Sequence, residues 1–260
     1  MEPFTLSIGD TLDLHTFQPR EIGSLIPEWM DQNRRAGRHC LRLITGKGTG
    51  ALRKGALALV ERHPFVSKIE TDANWGALVL HLRPRSEDEA RVRAILTANP
   101  SFVHALEVLA AAGPPGAWLG GGFVRDRVWQ HLHRRAEDPP TTDLDVAWFG
   151  AGDPAADAEH TRHLSEALAL PWDVADQARF GATSAEAGVA RWPETATAIG
   201  ARLSGVGLEL LAPHGWDDLL GLVVAPTPTT SPTLFRARCA AKRWRQRFPL
   251  LRVEPGPQTE

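Results

Sequence analysis

Cysteine is scarce. The 260-residue chain has two, Cys40 and Cys239, far apart in sequence. They form neither a zinc motif nor a disulfide framework. Any metal must therefore be held by oxygen or His ligands, which favours Mg²⁺ or Mn²⁺. Long apolar runs are also missing: none reaches the ~18–20 residues that span a bilayer. The first residues, MEPFTLSIGDTLDLH, lack the basic-then-apolar layout of a secretion signal, so a cytoplasmic location without a membrane partner is expected. No strong net charge exists either. The total is −2, with residues 1–85 holding 12 Lys/Arg against 9 Asp/Glu (+3) and residues 86–260 holding 17 against 22 (−5). The first part permits nucleic-acid contact, and the second is no general polyanion binder. Against that acidic background stands a basic run: Arg236, Arg238, Lys242, Arg243, Arg245 and Arg247.

What is present is ordinary for a globular protein, with 43% hydrophobic and 23% charged residues. The length suits two domains, with a boundary near the polar stretch 83–91. We expect an α+β chain: residues 1–85, then 86–252, then a disordered tail over 253–260. The first domain reads as β-α-β-α-β-β. Its strands fall at 11–15, 40–44, 66–70 and 77–83, with helices over 19–36 and 51–62. Pro27 weakens the first helix, because a proline removes a hydrogen bond and clashes with the preceding turn. The second domain reads as one helix over 87–112, a strand at 117–120 and a helix over 123–133. A strand at 143–149, a helix over 156–169 and a strand at 172–176 follow. A hairpin around Ser204-Gly205 and helices over 216–223 and 232–247 complete it.

Asp143-Leu144-Asp145 lies on a predicted strand. Side chains alternate faces there, so both carboxylates point one way and Leu144 and Val146 point into the core. Two carboxylates on one face can bind a divalent metal, which in turn binds triphosphate. A solvated strand face would carry the same pattern. Upstream, Gly120-Gly121-Gly122 lets backbone approach phosphate oxygens, and the following helix offers free N–H groups to an anion. Glycine turn, helix and D-x-D in that order specify more than either alone. Asp173, between Trp172 and Val174, is the candidate third metal ligand, with Asp176 as competitor.

The run G-G-x-V-R-D followed by D-x-D resembles the nucleotidyltransferase superfamily that includes DNA polymerase beta, poly(A) polymerase and CCA-adding enzymes. More specifically, LGGGFVRDRVWQHLH, TTDLDVAWF, WDVADQARF, ARWPETATAIGARL and KRWRQRFP are similar to an uncharacterised bacterial nucleotidyltransferase-like family. The resemblance implies a mixed sheet with the active site at its edge and transfer of NMP from an NTP. It assigns Asp143, Asp145 and Asp173 to catalysis and metal binding. It places Gly121 and Gly122 at the phosphate loop, joined here by the extra Gly120, which should keep that loop flexible. Arg125 and Asp126 would open the next helix. Arg125 and Arg191 are candidate nucleotide contacts, although Arg191-Trp192-Pro193-Glu194 could equally be a structural turn with paired charges. Asp217-Asp218 read as helix N-terminal acids, and His131 and His133 as surface or capping residues.

In the first domain, LDLH (12–15) and TGKGTG (45–50) resemble the small MutS-related (Smr) domain. That likeness implies a compact nucleic-acid-binding fold, some of whose members nick DNA or RNA. Gly46, Lys47 and Gly48 form a cationic, glycine-rich loop suited to phosphate contact. Asp13 and His15, alternating on one strand face, could act as an acid–base pair or be a structural hydrogen bond. Thr16 replaces the usual glycine, and Thr45 stands where many relatives carry His. The sequence therefore favours RNA or DNA binding over endonuclease cleavage. The alternative to a transferase is an Smr-type nicking or binding protein whose second domain regulates it.

Overall fold

The computed structural model describes residues 9–46, 50–72, 76–135 and 143–254. The chain divides into two compact units, Met1–Asp88 and Glu89–Glu260.

The first unit holds β1 (Thr11–Asp13), α1 (Ile22–Arg35), β2 (Cys40–Ile44), α2 (Ala51–Val60), β3 (Val66–Thr71) and β4 (Ala77–Leu82). Its sheet runs β1-β2-β4-β3, with β1 parallel to β2 and the other pairs antiparallel. The inward positions Leu41, Leu43, Leu78 and Leu80 pack with Ile26, Met30, Ala56 and Val60 of the two helices. Pro27 does not break α1. It is itself buried next to Ile26, and the apolar face Ile22-Ile26-Trp29-Met30 offsets the lost hydrogen bond, which costs about 3 kcal/mol in an exposed helix. The expected strand over 11–15 ends at Asp13, because Leu14–Thr16 turn into a 3₁₀ helix capped by the Asp13 carboxylate. Buried Arg34 reaches across this unit, donating to Arg83 O at 2.8 Å and pairing with Asp88 at 2.5 Å.

Helix α3 (Asp88–Thr97) starts at the last residue of the first unit, and the rest of it lies in the second unit with α4 (Pro100–Ala112). The single helix expected over 87–112 is two helices bent by 91°. Asn99 stops the first and caps the second, accepting from Phe102 N at 2.8 Å, and Pro100 takes the first helical position where its missing N–H costs nothing. There follow β5 (Trp118–Gly120), α5 (Gly121–Leu132), β6 (Leu144–Trp148), α6 (Pro154–Ala167), β7 (Trp172–Asp176) and α7 (Ala185–Val189). Then come β8 (Gly200–Ser204), β9 (Gly207–Leu211), α8 (Asp217–Leu220), β10 (Val223–Val224), α9 (Pro232–Lys242), α10 (Trp244–Arg247) and β11 (Arg252–Val253).

The main sheet runs β7-β6-β5-β8-β9. It is mixed: β6 and β7 are parallel, joined through α6, and β5, β8 and β9 pair antiparallel. The helix expected over 232–247 breaks at Arg243, which adopts a left-handed φ of 46°. Val253, expected in a disordered tail, instead pairs with Val224 beside Arg252–Val223, and residues 255–260 of that expected tail lie outside the described residues. No single helix among the described residues is long and apolar enough to cross a membrane.

Candidate functional site

Strand β5 lies at the centre of the main sheet, and all three of its residues are buried. Gly120 is extended, not a flexible loop residue as expected. A Cβ there would collide with Ile199 O and the Trp192 ring, so its missing side chain serves close packing. Gly121 turns the chain into α5 with a φ of +66°, a conformation glycine adopts without strain. A Cβ at that position would overlap the Asp145 carboxylate. The next N–H, of Gly122, donates to Asp145 Oδ2 at 3.4 Å. The N-terminus of α5 therefore faces an acid of the chain itself.

Asp145 is registered against Gly120 on one side and Asp173 on the other. Neighbours in register on parallel strands share a face, so the two carboxylates lie side by side. Leu144 and Val146 are buried on the opposite face, as the alternation requires. Asp143 stands one residue before β6 and is exposed. Burial drives the Asp145 carboxyl up to about 6, and the charges of Asp173 and Asp143 push it the same way. The Gly122 N–H and Arg125 oppose that rise without cancelling it. Asp176, the competitor, is fully buried and holds a loop: it accepts from Gly150 N, Gly152 N and Ala178 N at 3.0, 2.6 and 2.9 Å.

A cavity of about 480 Å³ opens over this face. Asp145 and Asp173 form its acidic wall, and Phe180, Trp192 and Pro193 supply an apolar one. Arg191 also lines it and donates from Nη1 to Phe180 O at 3.0 Å. Arg125 is buried instead. Its guanidinium donates to Asp126 Oδ1 at 2.7 and 2.9 Å and to Thr197 Oγ1 at 2.9 Å, over the Trp129 ring. Asp126 also accepts from Arg247 at 2.6 Å, so one member of the basic run is an internal strut. His133 is a capping residue, with Nδ1 2.8 Å from Trp129 O. Asp218 accepts from the Thr195 hydroxyl at 2.6 Å.

Two cavity residues of this region escaped the sequence reading, and the partner of a third, Glu194, was not foreseen. Gln177 and Phe180 line the cavity from the 3₁₀ turn after β7. Glu194 is buried and receives both Nε and Nη2 of Arg238. Those bonds raise the Arg238 pKa, with smaller help from the charges of Glu194 and Asp145, so this arginine of α9 stands within electrostatic reach of the acidic pair. The reading of 191–194 as a turn with paired charges fits Glu194, whose partner Arg238 is 44 residues away.

In the first unit, Asp13 Oδ1 accepts from His15 N at 3.0 Å and lies 2.6 Å from His15 Nδ1. The two meet through the 3₁₀ cap, not by strand alternation as expected. Those bonds, backbone first, hold the Asp13 carboxyl below its usual range. Gly46, at a φ of +71°, lies against the His15 imidazole, where a Cβ would overlap the ring. Lys47 and Gly48 lie outside the described residues.

A mixed sheet with paired acids beside a Gly-Gly helix start is a nucleotidyltransferase-type head, and a β-α-β-α-β-β unit precedes it. The comparisons agree. Residues 107–253 match the family described as Nucleotidyltransferase, more than half of the chain, and the protein belongs to that family. Residues 12–83 match the Smr domain. Among solved structures, the chain is similar to one described as revealing a CCA-adding enzyme head domain, at 25% identity and a TM-score of 0.57, covering 62% of this chain and 95% of that one. The Smr domain of Thermus thermophilus MutS2 matches at 29% identity and a TM-score of 0.28, over 28% of this chain and 98% of that one. A CCA-adding enzyme in complex with CTP matches at 19% identity and a TM-score of 0.42, over 63% and 43%. No curated protein matches the chain.

Proposed function

We propose that the second unit transfers NMP from an NTP to an acceptor with the help of Mg²⁺ or Mn²⁺, and that the Smr unit binds RNA or DNA. The observation that carries this reading is the register of Asp145 against Asp173 at the N-terminus of α5, facing the cavity. Among the described residues no group of three His, Cys, Asp or Glu side chains is drawn tightly enough to hold a metal ion. The donor chemistry nevertheless fits a hard divalent cation. Two adjacent carboxylates with a third two residues away, one of them forced up to about 6 by burial and its neighbours, form a site that a cation relieves. Asp145 and Asp173 would hold the ion, with Asp143 in support. Bound there, the ion would lower the pKa of the attacking group and offset triphosphate charge.

The chain's own groups have separate tasks in this reading. Gly121 and Gly122 keep the backbone close to the acids. Arg191 at the cavity and the Glu194-held Arg238 supply positive charge for phosphate oxygens. Arg125 fixes the start of α5 from within the core. The test is NMP transfer from labelled NTP onto a total RNA pool by the full chain. Asp143→Ala with Asp145→Ala should abolish it, and transfer that survives the double change refutes the reading.

For the first unit, the exposed Asp13–His15 pair against Gly46 supports contact with a nucleic-acid backbone. Electrophoretic shift of RNA and of DNA by wild type, His15→Ala and Lys47→Ala proteins tests it. Equal binding by all three proteins counts against it. Nicking that depends on His15 and ignores NTP would favour the nuclease reading instead.

A further inference from the structure

We propose that the cavity beside the acidic pair receives the nucleobase of the incoming NTP and that the Gln177 amide reads the edge of that base. The inference rests on the nucleotidyl-transfer reading above. Within the cavity the walls divide by chemistry. The Asp145 and Asp173 side repels a triphosphate unless a cation intervenes, Arg191 is the cationic residue of the lining, and the Phe180, Trp192 and Pro193 side offers nothing to a phosphate. An aromatic base suits the apolar side. Its size suits too, since sites for small organic ligands measure roughly 300–1,000 Å³ and this cavity is about 480 Å³. Phe180 is 58% exposed, a phenyl ring left at the cavity rim by a 3₁₀ turn, as a stacking platform would be.

Gln177 supplies the polar reader. The side chain is only 4% exposed. Its Nε2 donates to Ala175 O at 2.9 Å, which fixes the amide. Gly188 lies against it so closely that a Cβ there would overlap the amide. That is the one hydrogen bond of the amide among the described residues, and Gln177 and Gly188 both line the cavity. An anchored donor–acceptor pair is what a base edge requires of a glutamine.

The test is equilibrium binding of ATP, CTP, GTP and UTP, each with Mg²⁺ and no acceptor, to the full chain. Gln177→Glu removes both N–H groups, including the one that holds the amide to Ala175 O, and leaves only acceptors, which match the adjacent N–H groups of guanine and oppose the carbonyls of uracil. The ratio of GTP to UTP affinity should then rise about tenfold over wild type. Phe180→Ala, an exposed change that spares the fold, should weaken all four by a similar factor, about tenfold, with their ratios unchanged. Ratios that do not move in a folded Gln177→Glu protein overturn the inference, and so does full affinity in Phe180→Ala. If Gln177→Glu does not fold, the Phe180 result decides. Wild-type protein that binds none of the four overturns the underlying reading as well. NTP binding that ignores Gln177 and Phe180 leaves that reading standing and rejects only this one.

Discussion

Asp13 in the first unit and Asp145 in the second each have a close partner, yet they are driven in opposite directions. Asp13 is exposed and accepts two hydrogen bonds from a residue two positions away, and its carboxyl falls below the usual range. Asp145 is largely enclosed, receives one long bond from Gly122, and has two like charges beside it. Its carboxyl rises to about 6. The first site is satisfied by its own local turn. The second holds an unfavourable charge assembled from β5, β6, β7 and the start of α5. A site that is satisfied alone can hold a surface contact. A site in electrostatic debt calls for a cation or a proton.

The largest expected effect breaks the second site. Asp173→Asn should lower NMP transfer about a thousandfold or more, as loss of one member of a cooperating set does. Single-turnover kinetics with saturating NTP measure it, and a loss below tenfold would remove Asp173 from the acidic pair. Next, Gly120→Ala should cost about 3 kcal/mol in chemical denaturation, because overpacking against Trp192 and Ile199 O has no flexible escape. A cost under 0.5 kcal/mol would show that β5 and Trp192 part easily.

The third prediction separates stability from function. The folded protein holds the Asp145 proton more tightly than the unfolded chain, so the raised value contributes stability that is full below 3.8 and is lost as pH rises through about 6. Asp145→Asn should therefore leave stability unchanged near pH 3.5 and raise it near pH 7.5, by about 2–3 kcal/mol at most, while transfer is lost. Thermal melts across that window decide it; a variant less stable than wild type at pH 7.5 contradicts the sign. The smallest effect concerns the first site. His15→Ala should weaken nucleic-acid binding several-fold while changing stability by less than about 0.5 kcal/mol, since the ring is exposed. A large loss of stability would recast the pair as a structural element.

How much of this was legible follows from the range of the interactions. The order of strands and helices in the first unit could be read because alternation and helical spacing are local. The position of Asp145 on a strand and the turn at Gly121 were legible for the same reason, whereas Asp143, expected on that strand, lies one residue before it. The stretch 87–112 read as helical throughout, and the structure breaks it at Asn99-Pro100 with a 91° bend. The helix over 19–36 was expected despite Pro27, and burial of α1 outweighs that local penalty. Gly120 looked like loop flexibility and is a close-packing position. Arg125 looked like a ligand contact and is a buried partner of Asp126 and Thr197.

By itself, then, the sequence determined two α+β units, Asp145 on a strand and a glycine turn ahead of a helix, because each depends on residues a few positions apart. Tertiary structure decided which acid lies beside which and how burial raises the Asp145 carboxyl. It also decided that Gln177, Phe180 and Arg191 share a cavity with the acidic pair and that Glu194 holds Arg238 near it. Those relations join residues separated by up to 93 positions through sheet register and packing, and dielectric surroundings exist only once the chain has closed around the site.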